Sequence, residues 1–276
     1  MKIAVVGLGL IGGSLAKAFA QLPETLVYGQ DTDDVTIARA RLENAITTEL
    51  TKENIRECEY VFVALYPKIA EKFLEEYAPF ISKNATVIDC GGTKRGICAV
   101  GFRLAEKYGF SFIGGHPMAG THFSGFKYSR ASLFSNAAMI LVPAKNETLE
   151  TLQRVKTLLT QIGFKSVTIS SAKEHDRIIA YTSQLAHVVS NAYVKSPNSH
   201  VHKGFSAGSY RDLTRVAKLN PRMWTELFME NRENIAFEID NIIAELSKYS
   251  DAIKSGDEKT LEALLSEGAK IKESIG

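Results

Sequence analysis

Residues 2–14 read KIAVVGLGLIGGS, and this segment indicates the fold more clearly than any other. A short apolar run rich in β-branched residues leads directly into Gly7-x-Gly9-x-x-Gly12, and the next segment has the composition of a helix. Strand, glycine turn and helix in this order are the fingerprint of a dinucleotide-binding βαβ unit. Gly7 permits the tight turn, Gly9 lets the backbone approach a pyrophosphate, and Gly12 allows close packing of helix on strand. A purely structural glycine turn is the alternative.

The neighbouring residues predict which dinucleotide binds. The first helical turn, with Leu10 and Ile11, offers backbone NH groups to an anion. Asp31 ends the next predicted strand, residues 26–30, where a carboxylate accepts both ribose hydroxyls and repels a 2′-phosphate. After Asp31 no Arg occurs before Arg39, so the sequence favours NAD over NADP.

Length, composition and charge bound the class of protein. The 276-residue chain is 45% hydrophobic, has 33 basic and 31 acidic residues, and carries a formal net charge of +2. These values are typical of a globular protein with one large or two moderate domains. Because there is no basic stripe, no polybasic anchor and no run of about 18 apolar residues, we expect neither nucleic acid nor a membrane as partner.

The cysteines and the N-terminal segment predict the compartment. Cys58, Cys90 and Cys98 form an odd set without metal-ligand spacing. Lys2 and the apolar run suggest a signal peptide, but glycines interrupt the run and the βαβ pattern continues beyond it. We therefore expect reduced thiols in a cytoplasmic protein.

Strands and helices alternate through the first 170 residues. Further strands are predicted at residues 60–65, 85–89, 112–113, 139–143 and 166–169, with a helix at 147–161. Such alternation is typical of a mostly parallel, doubly wound sheet of an α/β protein. We assign residues 1–170 to a Rossmann-type domain.

Five candidate loops fall at the carboxyl ends of these strands, where doubly wound sheets bind ligands. They are the glycine turn, Asp31, the corner that follows Leu65, the Gly91–Lys94 loop and the turn at His116. We expect them to form one site, with Leu65 and Gly91 beside the cofactor.

The segment GGHPMAGT at residues 114–121 narrows the function most. An imidazole between a Gly pair and a Pro stands on a rigid turn with few side chains around it. Since the ordinary pKa of His lies near neutrality, His116 suits the role of proton acceptor from a substrate hydroxyl. A loop histidine satisfied by backbone groups is the alternative.

After residue 170 the pattern is helical. Residues 173–192 and 220–247 carry long apolar stripes, and 261–275 predict a short last helix. The stripe in 220–247 is too rich for a helix packed on one neighbour. We assign residues 171–276 to an all-helical dimerisation domain and expect a homodimer, with packing inside one chain as the alternative.

Several motifs, in this order and spacing, together resemble the prephenate dehydrogenase family, which includes arogenate and cyclohexadienyl dehydrogenases of tyrosine biosynthesis. The resemblance covers nearly the whole chain. The motifs are the glycine fingerprint, Asp89-x-x-x-x-Lys94, HPMAGT from His116, His175-Asp176, Leu185-Ala186-His187, RDLTR at 211–215 and Pro221-x-x-Trp224.

The resemblance implies NAD-dependent oxidative decarboxylation of prephenate to 4-hydroxyphenylpyruvate. His116 would hydrogen-bond the ring hydroxyl at C4 and draw off its proton while hydride leaves C4. Arogenate, which would give tyrosine directly, is the alternative substrate, although no residue clearly serves as a partner for its ammonium group. We expect no regulatory domain after Gly276, and therefore expect any inhibition by tyrosine to act at the active site.

The resemblance also implies substrate-binding residues. Arg215 would hold a carboxylate in its planar fork, and an ion pair with the nearby residue 212 is the alternative. His187 would line the pocket, with a buried core histidine as the alternative. Ser183 lies four residues before it, on the same helix face. Thr121 and Lys94 complete the predicted contacts, and for Lys94 a structural role is the alternative.

Two positions depart from the family pattern. Relatives often carry Ser in the loop after the Asp89 strand, where this chain has Gly92, so Thr93 or a water is the candidate replacement. His122 stands where some relatives have an acidic residue, and we expect it to affect which substrate side chain is tolerated.

Three other interpretations stay open. A β-hydroxyacid dehydrogenase has a similar architecture, but Lys195 and Lys203 fit no catalytic lysine motif of that family. A non-catalytic NAD-binding regulator would keep the fold and lose the chemistry. A zinc site is not favoured, because no acidic or thiol ligands accompany the histidines. Those histidines are His116, His122, His200 and His202.

Overall fold

A single sheet organises the first part of the chain in the computed structural model, which describes residues 1–121 and 123–276. Its strands run in the order β3-β2-β1-β4-β5-β6-β7-β8. The strands are β1 (Lys2–Val6), β2 (Leu26–Gln30), β3 (Thr48–Glu49), β4 (Tyr60–Val63), β5 (Thr86–Asp89), β6 (Ser111–Pro117), β7 (Ala138–Pro143) and β8 (Ser166–Ile169).

All neighbouring strands in this order are parallel except β6 and β7, which are antiparallel. Two consecutive strands can pair in parallel only if a long crossover, usually a helix, joins them. The described part of the connection between β6 and β7 holds only short 3₁₀ turns, so β7 pairs antiparallel to β6. The strand order reverses between β1 and β4, and dinucleotides bind at such a switch point. The predicted doubly wound fold is confirmed.

Helices cover both faces of the sheet. They are α1 (Leu10–Phe19), α2 (Asp34–Leu42), α3 (Pro67–Tyr77), α4 (Arg95–Tyr108) and α5 (Leu149–Gln161). In β1, Ile3 and Val5 pack into the buried cluster under α1 and α5, while Ala4 and Val6 pack into the cluster under α3 and α4. Because side chains alternate along a strand and both faces are covered, the strand reads as a continuous apolar run.

After β8 the described chain is helical. The helices are α6 (Ala172–Ile179), α7 (Ala186–Tyr193), α8 (Gly208–Thr214), α9 (Pro221–Glu230), α10 (Arg232–Ser255) and α11 (Glu258–Ile275), with a π-helical segment at Ala180–Leu185 joining α6 to α7. The division between domains at residue 170 stays a prediction. In the described ranges, no helix is long and apolar enough to cross a membrane.

The prediction of one helix over 220–247 is wrong. The chain breaks at Asn231, whose backbone leaves the helical region at φ −110° and ψ 23°. Its buried side chain donates to the carbonyl of Asp176 and to Gln184 Oε1, both at 2.8 Å. These contacts come from a distant part of the chain, so the break is set by tertiary packing and leaves no gap in the apolar stripe.

Candidate active site

The glycine turn has the backbone geometry that its sequence predicts. Gly7 lies at φ +83°, and a Cβ there would approach the Ala64 carbonyl oxygen to 2.5 Å. A Cβ on Gly12 would lie 1.8 Å from the carbonyl oxygen of Gly7. Around Gly9, by contrast, no described heavy atom lies within 4 Å of such a Cβ, so space for a ligand is open at this point of the turn. Leu10 and Ile11 begin α1, where NH groups have no partner within the helix.

Asp31 lies beside this turn at the end of β2. Its carboxylate accepts hydrogen bonds from the backbone NH of Leu8 at 2.8 Å and of Asp33 at 3.0 Å. The Asp31 side chain is partly exposed, so it faces the edge where the predicted ribose would lie. The Leu65 side chain packs against Gly7 on the other side of the turn. The cofactor contacts of these residues stay predictions.

Asp89 joins the loop after β5 to the end of β6. Its carboxylate accepts from the backbone NH of Gly115 at 3.0 Å, from that of Gly91 at 2.8 Å, and from the Lys94 ammonium group. Both side chains of the Asp89–Lys94 pair are buried. Since its ammonium group is already bound to Asp89, Lys94 fits the structural alternative, and its direct contact with substrate stays a prediction.

His116 stands at the end of β6 with its ring tied inward. Its Nδ1 lies 2.8 Å from Nε2 of His175, and Nδ1 of His175 lies 2.8 Å from Oδ1 of Asp176. The side chains of His175 and Asp176 are buried, whereas His116 is partly exposed. The arrangement gives a histidine at the substrate edge with one ring nitrogen bound and Nε2 without a hydrogen-bond partner among residues 1–121 and 123–276.

The surroundings of His116 keep its ring neutral. Burial is the largest cause that lowers its pKa well below the ordinary 6.5, and the nearby His175 and Lys94 lower it further. Asp176 acts in the opposite direction but does not reverse the shift. A neutral imidazole is the form that can accept a proton.

Asp176 also links the two parts of the chain. Its carboxylate accepts from the backbone NH of Lys94 at 2.7 Å and of Arg95 at 3.0 Å, at the start of α4. The first turn of α4 has no side-chain cap of its own, so a residue of α6 caps it instead. This contact holds α6 against the loop that carries Gly91 and Lys94.

The structure brings His187, Ser183, Arg215 and Trp224 together on the helical part. His187 stacks on Trp224 with ring centroids 3.8 Å apart, and its Nδ1–H donates to the Ser183 carbonyl at 2.9 Å. Burial is the main cause that lowers the pKa of His187; the bond to Ser183 opposes it, and the charge of Arg215 adds to it. Ser183 lies in the π-helical segment, a feature that often marks functional sites.

The structure does not show the alternatives considered for Arg215 and His187, an ion pair with residue 212 and a buried core histidine. Arg215 is exposed and forms no ion pair with Asp212 within the described ranges. His187 is partly exposed and so is not a fully buried core histidine. The substrate contacts of Arg215, His187 and Ser183 stay predictions.

The hydroxyl of Thr93, the predicted replacement for Ser, forms no hydrogen bond with His116. It is turned toward the helical part, where it donates to Glu230 Oε2 at 2.6 Å. Burial is the main cause that raises the Glu230 pKa. A Cβ on Gly92 would lie 3.2 Å from the end of the Leu227 side chain, so α9 packs closely over this loop. The group that supports the His116 ring is instead His175.

Thr121 lies on the exposed turn after β6, where its Oγ1 accepts from the NH of Phe123 at 3.3 Å. The expectation for His122 concerns a residue outside those that the structure describes. Among residues 1–121 and 123–276, no three His, Cys, Asp or Glu side chains cluster in a way that could hold a metal ion. All three cysteines are free and buried.

The sequence motif His175-Asp176 does not predict a role for either residue. Their adjacency at the start of the first helix after the sheet was the available signal. The role follows only when α6 packs against α4 and β6, a long-range contact that local sequence does not specify.

Comparison with known proteins identifies the family. Residues 15–168 match the family described as prephenate dehydrogenase, nucleotide-binding domain, and residues 171–267 match prephenate dehydrogenase, dimerization domain. The prephenate dehydrogenase of Lactococcus lactis subsp. cremoris is 32% identical over 99% of this chain and 77% of its own length.

Two solved structures are similar over essentially the whole chain. The prephenate dehydrogenase of Aquifex aeolicus, in complex with hydroxyphenyl propionate and NAD+, has a TM-score of 0.84 and 27% identity, covering 100% of this chain and 98% of that one. Synechocystis arogenate dehydrogenase has a TM-score of 0.82 and 25% identity, with 100% of both chains covered. The resemblance drawn from the motifs is therefore confirmed: the chain belongs to the prephenate dehydrogenase family.

Proposed function

We propose that this protein converts prephenate to 4-hydroxyphenylpyruvate by NAD-dependent oxidative decarboxylation. The observation that carries the proposal is His116, a neutral imidazole bound through Nδ1 and open at Nε2, at the sheet edge that also carries the glycine turn. Membership of the family supports a dehydrogenase acting on prephenate or a close relative of it. A non-catalytic regulator is not favoured, because this arrangement is that of a working proton acceptor.

NAD fits the residues of the first site. The open space at Gly9 suits a pyrophosphate, and the carboxylate of Asp31 suits the two ribose hydroxyls. The related Aquifex enzyme was solved with NAD+. When bound, NAD supplies the acceptor for the hydride that leaves C4 of the substrate.

The side chains of this protein then handle the proton and the carboxylates. His116 Nε2 accepts the proton of the C4 hydroxyl, so that a carbonyl forms at C4 as hydride leaves. The C1–carboxylate bond breaks, CO2 departs, and the bonding electron pair moves through the ring to the oxygen on C4. That oxygen takes the proton back from His116, which gives the aromatic phenol and restores the neutral imidazole. Arg215 pairs with a substrate carboxylate, and His187 with Ser183 borders the pocket.

Arogenate is the second candidate substrate, favoured by the likeness to Synechocystis arogenate dehydrogenase. The two substrates differ in a pyruvyl ketone against an amino-bearing carbon. We favour prephenate, because none of the described residues that we place at the site (Lys94, His116, Thr121, Ser183, His187 and Arg215) carries a carboxylate that could pair with an ammonium group.

A homodimer is the assembly we propose. Residues 171–267 match a dimerization domain, and α10 exposes Ile243, Leu246 and Ile253 at spacings that place them on one helix face. A cytoplasmic location stays a prediction.

The test is the rate of NADH formation with each substrate. We expect kcat/KM with prephenate and NAD to exceed the values with arogenate and with NADP by at least about tenfold. A higher kcat/KM with arogenate would assign the second activity. NAD binding without turnover of either substrate would overturn the proposal.

A further inference from the structure

The buried side chains of His175 and Asp176 form a row of hydrogen bonds with His116. We call this row of three residues the line. His175 lies between the His116 ring and the Asp176 carboxylate, with 2.8 Å on each side. Neither residue reaches the substrate edge, because both side chains are essentially fully buried. Their arrangement determines which nitrogen of His116 carries hydrogen.

Asp176 acts only as an acceptor in this line. Its two oxygens receive the backbone NH groups of Lys94 and Arg95, the Arg95 side chain at 3.4 Å, and His175. Burial alone would raise its pKa, but the bonds from His175, Arg95 and Lys94 outweigh it, and the pKa lies below its ordinary value. Since the carboxylate is ionised, the hydrogen of the His175–Asp176 bond belongs to Nδ1 of His175.

The second bond follows from the first. With hydrogen on Nδ1, neutral His175 presents a lone pair at Nε2. The short contact to His116 then requires a hydrogen on Nδ1 of His116, because two lone pairs at 2.8 Å would repel. Neutral His116 is left with its own lone pair on Nε2. Reversing any one of these hydrogens breaks a bond in the line.

We propose that His175 and Asp176 are positioning residues that hold His116 in the tautomer with hydrogen on Nδ1, which leaves Nε2 free to receive the substrate proton. This inference rests on the proposed function of His116 as the base. When Nε2 takes up the hydroxyl proton, His116 becomes positive, and the Asp176 charge at the end of the line stabilises that form.

If His175 and Asp176 only anchored α6 to α4, their variants would behave differently. Asp176 also caps α4, so any change of the pair could act by loosening the contact between α4 and α6. Lys94, at the start of α4, is the cation that faces His116 and opposes its protonation, while Asp176 and His175 face it from α6. The test therefore needs a readout of the tautomer itself and variants that separate anchoring from hydrogen position.

The direct measurement is two-dimensional 1H–15N NMR of the full-length protein with 15N-labelled histidine, in which tautomers differ in their nitrogen shifts. His116→Asn identifies the His116 signals by their loss. We expect hydrogen on Nδ1 and a lone-pair shift for Nε2 in the parent, and the reverse in Asp176→Asn, whose amide can donate to His175. Hydrogen on Nε2 of His116 in the parent, or no change in Asp176→Asn, would overturn the inference.

Kinetics of four variants complete the test. Asp176→Asn should lower kcat by about 10²–10⁴-fold with KM nearly unchanged, as expected for a base held in the wrong tautomer. His175→Asn keeps an NH for Asp176 but ends short of His116, and should lower kcat by at least about tenfold. His175→Gln reaches the position of Nε2 with an acceptor oxygen and should recover part of the loss. Arg95→Gln removes the side-chain contacts of Arg95 with Asp176, Asn231 and Glu233 but none of the hydrogens that join His116, His175 and Asp176. It is the control and should stay within about threefold.

These results distinguish the inference from the proposed function. If the parent shows the expected tautomer but oxidises neither prephenate nor arogenate, the proposed function fails while the positioning geometry stands. If the parent is active and His175→Asn and Arg95→Gln lose activity equally, the pair only anchors the helices and the inference fails.

Discussion

At the scale of single residues, the site depends on the surroundings of one imidazole, that of His116. His116 is partly exposed, but desolvation of its ring and the nearby His175 and Lys94 disfavour its protonated form, and Asp176 does not reverse this. A base of this kind is ready at neutral pH without first losing a proton.

The pH dependence of the reaction follows from this shift. Only neutral His116 accepts a proton, so kcat/KM should rise with pH through its pKa and then stay level. Because the pKa lies well below 6.5, the rise should fall on the acid side of that value and the profile should be flat around neutrality. Measuring kcat/KM for prephenate across pH checks this. A rise centred at or above 6.5 would show that His116 is not the titrating base.

A change at Arg215 should affect substrate binding and leave cofactor binding unchanged. It lies exposed beside His187, without an ion pair to Asp212 in the described part of the chain, and is free to meet a carboxylate. Arg215→Ala should raise KM for prephenate by at least about tenfold, since a hydrogen bond to a charged group contributes about 1.5–3 kcal/mol. Arg215→Lys should recover only part of this, because Lys lacks the planar fork. The Kd for NAD should not change, and an unchanged KM would return Arg215 to a structural role.

At the scale of secondary-structure elements, Asn231 holds the start of α10 to the rest of the site. Its amide satisfies the carbonyl of Asp176 and the side chain of Gln184 in the buried interior. Asn231→Ala leaves Gln184 Oε1 without this donor, whereas the Asp176 carbonyl keeps the backbone NH of Ala180. A buried group left unpaired costs about 1–3 kcal/mol. Urea unfolding should show the loss, with exposed Asn241→Ala on the same helix as control. Equal stability of the two variants would contradict this role for Asn231.

The same elements show how far the sequence could be interpreted. The fingerprint, the alternation of strands and the His116 turn predict the Rossmann-type domain and its binding edge, because apolar runs and glycine turns are local properties. The two-residue strand β3, the helix α8 and the break at Asn231 are missed. Each lacks a local signal and depends on contacts with distant residues.

The residues of the candidate site also fall into those that local sequence predicts and those that depend on long-range contacts. Residues at strand ends, such as Gly9, Asp31 and His116, could be predicted from spacing and chemistry. The link from His116 to His175 could not, since it joins the sheet to the first helix of the second part. Thr93 shows the reverse error: its hydroxyl suggested a role beside His116, but Glu230 on α9 binds it.

At the scale of the whole molecule, the exposed apolar face of α10 predicts the assembly. Leu246 is 58% exposed, and Ile243 and Ile253 lie on the same face. Leu246→Glu would place an unpaired charge in the dimer interface twice, once for each subunit, and should weaken the dimer by at least about 100-fold. Analytical ultracentrifugation measures this, and Asn241→Glu, at an exposed polar position turned away from Leu246, is the control. A dimer unaffected by Leu246→Glu would place the interface elsewhere.

The role of His116 as acceptor of the substrate hydroxyl proton is best tested by measuring kcat of His116→Asn with prephenate. Asn keeps a polar group of similar size at the turn but cannot take up the proton. We predict a folded protein with unchanged affinity for NAD and a kcat lower by roughly 10²–10⁴-fold, the usual contribution of a positioned acid–base group. A folded His116→Asn protein with kcat within a few-fold of the parent would contradict this role of His116 and move the catalytic role to His187.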